Sequence, residues 1–218
     1  MNNISYIERR RHGFFLGSLL FLLIGNVFFS QSAQRLATLL LLTQNVLFGL
    51  FIIKRKSRFI KLLFYVFLSL AIAYLLGVVF GNVHQIDRAG QILFIIYFVA
   101  ISTVVFHDLY HEKNFNMETV YAVFSGFILL SFAFGFILLF LNNIIPNSLQ
   151  GIENEALISE YHYFSFITLM TIGYGDITPH TEVAKKIVVF ASLLGHFYTV
   201  FITAIIIGKL SMKQSHGS

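Results

Sequence analysis

The nine residues Thr168-Leu169-Met170-Thr171-Ile172-Gly173-Tyr174-Gly175-Asp176 decide how the rest of the chain is read. They close an uncharged run, 161–175, that is too short to cross a hydrocarbon core of about 30 Å as a helix. A non-helical segment at membrane depth is tolerated only where it is buried in protein or lines a watery cavity. The run therefore reads as a re-entrant segment. Gly173 and Gly175 give it backbone conformations that a Cβ would penalise.

Outward from it lie six longer uncharged runs, at 13–34, 36–53, 62–86, 89–106, 119–152 and 187–208. Each holds about 18 residues or more, enough for a spanning helix. The apolar part of the fifth ends near Leu141, where Asn142, Asn143 and Pro146 signal a loop. The expected architecture is an all-α membrane protein of six transmembrane helices, with a short pore helix and re-entrant loop between the fifth and sixth. Composition agrees: of 218 residues, 57% are hydrophobic and 11% charged, against about 25% charged in a soluble domain. A soluble enzyme and a disordered chain are both excluded. With no cysteine there is no disulfide or thiolate chemistry. The chain shows no cleavable signal, internal repeat, nucleophile–base pair or phosphate-binding loop, so an enzyme is not expected.

The formal charge of +5 orients the chain rather than binding nucleic acid. Six spans put both termini on one side. That side collects Arg9, Arg10, Arg11, Lys54, Arg55, Lys56, Arg58, Lys61, Lys113, Lys209 and Lys213, which is 11 of the 15 basic residues. By the positive-inside rule it is cytoplasmic, in the plasma (inner) membrane, and the re-entrant loop opens outward. Six of the ten acids fall outside: Asp87, Glu153, Glu155, Glu160, Asp176 and Glu182. The basic clusters Arg9–Arg11 and Lys54–Lys56 are also candidate contacts for anionic lipid headgroups.

A potassium ion sheds its water only where other oxygens replace the shell, and stacked rings of backbone carbonyls do this. Four copies of the strand 171–175 around one axis would make such rings, with the Thr171 hydroxyl adding another at the inner end. Ile172 and Tyr174 would then point away from the axis and wedge the strand against the preceding helix. The whole string, Thr-x-x-Thr-Ile-Gly-Tyr-Gly-Asp, resembles the selectivity filter of tetrameric pore-loop potassium channels. The resemblance covers 163–210 specifically, and helices one to four by topology alone. Compact bacterial channels with six transmembrane helices are the nearest group in general appearance.

The resemblance implies a homotetramer that passes potassium passively, with ions held at Thr171, Ile172, Gly173, Tyr174 and Gly175 and no cofactor beyond the permeant ion. Tyr163 and Phe164 occupy the aromatic pair of the family's pore helix, where tryptophans often stand. Tyr163 keeps a polar tip, so its hydroxyl is expected to brace Asp176, while Phe164 is expected to pack on Tyr174. Thr168 supports the filter from the end of the pore helix. Some family members carry a glutamate where Ile167 stands, so a buried carboxyl pair is not available here. Asp176-Ile177-Thr178-Pro179 matches the turn into the last helix, 182–210.

Along that last helix, His196, Thr199, Thr203 and Ile207 recur on one face, aligned with the family's cavity-lining side. Two readings of His196 stand: a ring that repels potassium when protonated, closing the cavity as cytoplasmic pH falls, or a neutral side chain bonded to a neighbouring helix. Two readings of Gly195 stand as well, a hinge and a packing glycine. His107 and His111, four apart beside Asp108 and Glu112, fit either a metal pair or an amphipathic linker helix.

The fourth span, 89–106, carries no Arg or Lys. Each charge crossing the field is worth about 2.3 kcal/mol per 100 mV, so a voltage sensor needs several. Little voltage dependence is expected. The chain divides into 1–112, a sensor-like four-helix part without gating charges, and 113–218, the pore part. The ending soon after Leu210 leaves no room for a cytoplasmic ligand-binding domain, so gating is expected from the membrane part, lipids or a partner. Rival readings are a silent or regulatory subunit of a heteromeric channel and a potassium transporter subunit. The single intact filter argues against the second.

Overall fold

In a computed structural model of the chain, the described residues are 10–29, 33–53, 58–80, 88–111, 116–153 and 158–215, with side chains from 205 onward outside that description. The helices are α1 (Arg11–Ile24), α2 (Gln34–Ile53), α3 (Arg58–Val79), α4 (Arg88–His111), α5 (Met117–Ile144), α6 (Ile158–Leu169) and α7 (Glu182–Ser215). Two short strands, β1 (Leu149–Gln150) and β2 (Thr178–Pro179), pair antiparallel. One continuous core runs from Phe15 and Leu19 of α1 to Ala184 and Ala191 of α7.

Each of the six long uncharged runs contributes a helix, and α6 stands between the fifth and sixth as expected. Among the described residues, three are long and apolar enough to cross a membrane: Arg88–His111, Met117–Ile144 and the Glu182–Ala204 part of α7, with mean hydropathies of 2.2, 2.5 and 1.9. The other three are shorter as apolar segments within the described residues: Arg11–Ile24, Leu36–Leu50 and Phe64–Gly77. Helix α1 has 14 residues, about 21 Å by its rise. It then tightens into a 3₁₀ turn at Gly25–Phe28. A Cβ on Gly25 would stand 2.9 Å from the Leu41 side chain, so this glycine lets the end of α1 close on α2.

The fourth and fifth helices form the spine. Antiparallel α4 and α5 interdigitate through stacked rings, Phe94 on Phe136 at 5.3 Å and Phe98 on Phe132 at 5.4 Å. Such pairs add about 0.5–1.5 kcal/mol beyond the area they bury. Helix α4 does not stop at Phe106 but continues to His111, so His107 and Asp108 belong to its last turns rather than to a separate linker. Helix α5 starts on a reciprocal cap: Asn116 Oδ1 accepts from the Thr119 N–H at 3.0 Å, and Thr119 Oγ1 accepts from the Asn116 N–H at 3.4 Å.

Two polar knots tie α1 and α2 to this spine. Near mid-bundle the buried Asn45 donates to Ser18 Oγ at 2.7 Å and accepts from the Tyr97 hydroxyl at 2.9 Å. Where α1 begins, Arg11 pairs with Asp108 at 2.9 Å and also donates to the Ile52 carbonyl. The next backbone N–H, on His12, donates to Glu118 at 3.0 Å. Arg11 thus meets protein partners at the junction of four helices, whereas Arg9, Lys54, Arg55 and Lys56 lie outside the described residues. Arg88, at the other end of α4, donates to the Asn143 carbonyl at 3.2 Å.

Candidate ion-conduction site

Helix α6 is seated on α5 by small and polar residues. Tyr161, His162 and Ser165 are buried on its inner face. Ser165 Oγ donates to the Ser131 carbonyl at 2.6 Å, and Asn142 Nδ2 donates to the Tyr161 hydroxyl at 3.0 Å. The His162 ring lies edge-on to Phe132 and Phe136, at 4.8 and 4.9 Å. It occupies the volume that a side chain on Gly135 would fill. Sequence reasoning missed this seat. Its signal was present in the fifth run, where Ser131, Gly135 and Asn142 recur on one helical face.

At Leu169 the helix ends and the chain turns into a strand whose N–H groups fold back. The Thr171 N–H donates to the Thr168 carbonyl at 3.0 Å, and those of Ile172 and Gly173 donate to the Ile167 carbonyl at 2.8 and 3.2 Å. Thr168 is therefore placed under the strand it was expected to support. Beyond it the backbone alternates. Thr171, Gly173 and Gly175 have φ of +58°, +57° and +83°, while Ile172 and Tyr174 between them stay negative. In an ordinary β-strand successive carbonyls point in opposite directions. Alternating the hand of the dihedrals rotates every second peptide plane and turns the carbonyls to one side. A left-handed threonine costs about 1–2 kcal/mol, which glycine avoids. Residues 171–175 are solvent-exposed on the single chain.

The Tyr163 hydroxyl donates to Asp176 Oδ2 at 2.6 Å, the contact expected from the pore-helix resemblance. That bond, at the outer end of the loop, pushes the Tyr163 phenol up to about 12 and holds the Asp176 carboxyl below the usual carboxylate range. Phe164 is buried in the core, and Tyr174 is 70% exposed on the single chain.

The last helix packs on this unit through glycine and tyrosine. A Cβ on Gly195 would stand 2.5 Å from the Leu169 carbonyl oxygen and 3.0 Å from the Leu169 Cα. Gly195 packs against the end of the pore helix in this structure, and α7 runs unbroken through it. Tyr198 reaches α5, where its hydroxyl donates to the Val123 carbonyl and lies against Gly126, and it also meets Phe106 of α4 at 5.5 Å. His196, Thr199 and Thr203 are exposed on the flank of this packing face, and the two threonine hydroxyls bond back to Gly195 and Thr199 carbonyls at 3.1 and 2.7 Å. Ile207 lies outside the described side chains.

His107 and His111 stack at 4.2 Å, with His111 Nδ1 2.8 Å from the His107 carbonyl. Among the described residues no three His, Asp or Glu side chains are placed to hold a metal ion.

A short helix and a loop of alternating φ thus lie between the long helices α5 and α7. Residues 126–212 match the family model described as Ion channel, a stretch that takes in the last two thirds or so of α5, then α6, the strand and most of α7. The chain thus carries an ion-channel domain in its carboxy-terminal part. No curated protein and no solved structure matches the chain.

Proposed function

We propose that the chain is the subunit of a homotetrameric, potassium-selective channel that conducts passively and has little intrinsic voltage dependence. The observation that carries this reading is the alternation of positive φ at Thr171, Gly173 and Gly175, a backbone pattern that would aim successive carbonyls one way. Carbonyl rings replace the hydration shell of potassium, and one chain supplies a quarter of each ring. In the proposed pore, Thr171 to Gly175 coordinate the ion, while Tyr163, Thr168 and Asp176 brace the filter. His196, Thr199, Thr203 and Ile207 face the cavity.

The tetramer is supported by what a single chain leaves uncovered. Of the apolar window in α5, 72% is buried, but only 17% of that in α7. Val189, Phe190, Leu193, Phe197, Val200 and Phe201 are all half or more exposed on α7. A second copy of the chain is the natural cover for that face and for Tyr174. The orientation with both termini cytoplasmic rests on the basic residues, 11 of 15 on one side.

Purified protein in liposomes is expected to migrate as a tetramer by mass and to carry potassium flux without another subunit. Flux only after addition of a second chain would favour the silent-subunit reading. Absence of flux together with a monomeric mass would overturn the proposal.

A further inference from the structure

Between α5 and α6 the chain makes a second set of contacts with the strand after the filter. The set begins at the end of α5, where the buried Asn142 accepts from the Ser148 N–H at 3.0 Å. Ser148 is fully buried. Its hydroxyl donates to the Ile145 carbonyl at 2.6 Å, and its carbonyl accepts from the His180 N–H at 2.8 Å. From there β1 runs beside β2, with Leu149 opposite Pro179 and Gln150 opposite Thr178. Gly151, at φ +86°, then lies directly on the backbone carbonyl of Asp176, leaving no space for a Cβ. Thr181, adjoining the same hub, caps α7 by accepting from the Ala184 N–H at 3.3 Å.

We propose that segment 145–151 is a splint for the outer mouth, with Asn142, Ser148 and Gly151 as positioning residues that hold the exit of the filter in its conducting shape. This rests on the potassium-channel reading above. The physical reason is that one-sided carbonyls repel each other when no cation lies between them. The strand therefore needs external restraint whenever ions are scarce. The pore helix restrains the inner end through the Ile167 carbonyl, and the Tyr163–Asp176 bond restrains one side chain. The splint restrains the backbone itself at Asp176 and beyond, and it refers that backbone to the end of α5 and the start of α7. Movement of either helix would be felt at the mouth.

The test compares wild-type protein with Gly151→Ala and Asn142→Leu, each purified as the full chain and reconstituted in liposomes. Potassium and sodium flux are followed while external potassium is removed and then restored. Leaving the buried Ser148 N–H unpaired, or forcing a Cβ onto the Asp176 carbonyl, is expected to speed the loss of potassium conduction in low potassium about tenfold. High external potassium should restore it, because bound ions supply the missing restraint. Simple misfolding would not respond to potassium. Should Gly151→Ala fail to assemble, Asn142→Leu decides when set against Tyr161→Phe, which removes only the bond Asn142 makes to the pore helix and should leave low-potassium behaviour as in the wild type. Amide hydrogen exchange at His180 and Thr181 gives a readout independent of flux, and both should exchange faster in Asn142→Leu. Wild-type flux kinetics and exchange in the variants would overturn the splint while leaving the channel reading intact. Wild-type protein that passes no potassium would overturn the channel reading, and with it the splint's role.

Discussion

Thr171 takes the left-handed backbone that its glycine neighbours accept freely, at φ +58°. The cost of about 1–2 kcal/mol sits where the strand leaves the pore helix, and in the proposed pore the Thr171 hydroxyl would add a further oxygen there. Gly173 and Gly175 were legible as positions needing positive φ, but the participation of Thr171 was not, because nothing in a threonine marks it for that region. The Tyr163–Asp176 bond was legible from the aromatic position and the polar tip together. It makes a pH-dependent prediction. The folded-state pKa of Asp176 is depressed, so the bond's contribution is present above the ordinary carboxylate value and is lost as pH falls through the depressed one. In Tyr163→Phe the first cause of that depression is gone. The acid limb of the conduction curve, measured against external pH, should therefore move to higher pH. An unmoved limb would show that the bond does not brace the mouth.

At the scale of elements, the seat of the pore helix was invisible to hydropathy because serine, glycine and asparagine look neutral inside an apolar run. Their meaning comes only from what faces them: Ser165 on Ser131, His162 on Gly135, Tyr161 on Asn142. Small residues let membrane helices approach closely where lipid gives no hydrophobic drive. The same logic applies to Gly195, which the sequence leaves divided between hinge and packing. A methyl group there would stand 2.5 Å from the Leu169 carbonyl oxygen, so Gly195→Ala must push α7 away from the end of the pore helix. Overpacking of this kind costs about 1–3 kcal/mol per site. A lowered thermal midpoint of the assembled protein in detergent is expected. An unchanged midpoint with altered gating would restore the hinge.

For the whole molecule, charge placement was the most readable feature, and helix length the least. Runs without charge located the six long helices among the described residues, yet charge says nothing about the close approach of Gly25 to Leu41 across the bundle. Helix α4 joins the pore domain through Phe94, Phe98 and Phe106, by ring packing and without charge along its span. Movement of such a helix does no work against the membrane potential. Current from reconstituted protein should therefore follow voltage without steep activation, and a sigmoidal conductance–voltage relation carrying several gating charges would contradict this.

The central claim is selectivity, and the reversal potential reads it directly. Purified protein in a planar bilayer, with potassium on one side and sodium on the other, should pass current that reverses close to the potassium equilibrium potential. Reversal near zero, where the two cations pass alike, would contradict the account.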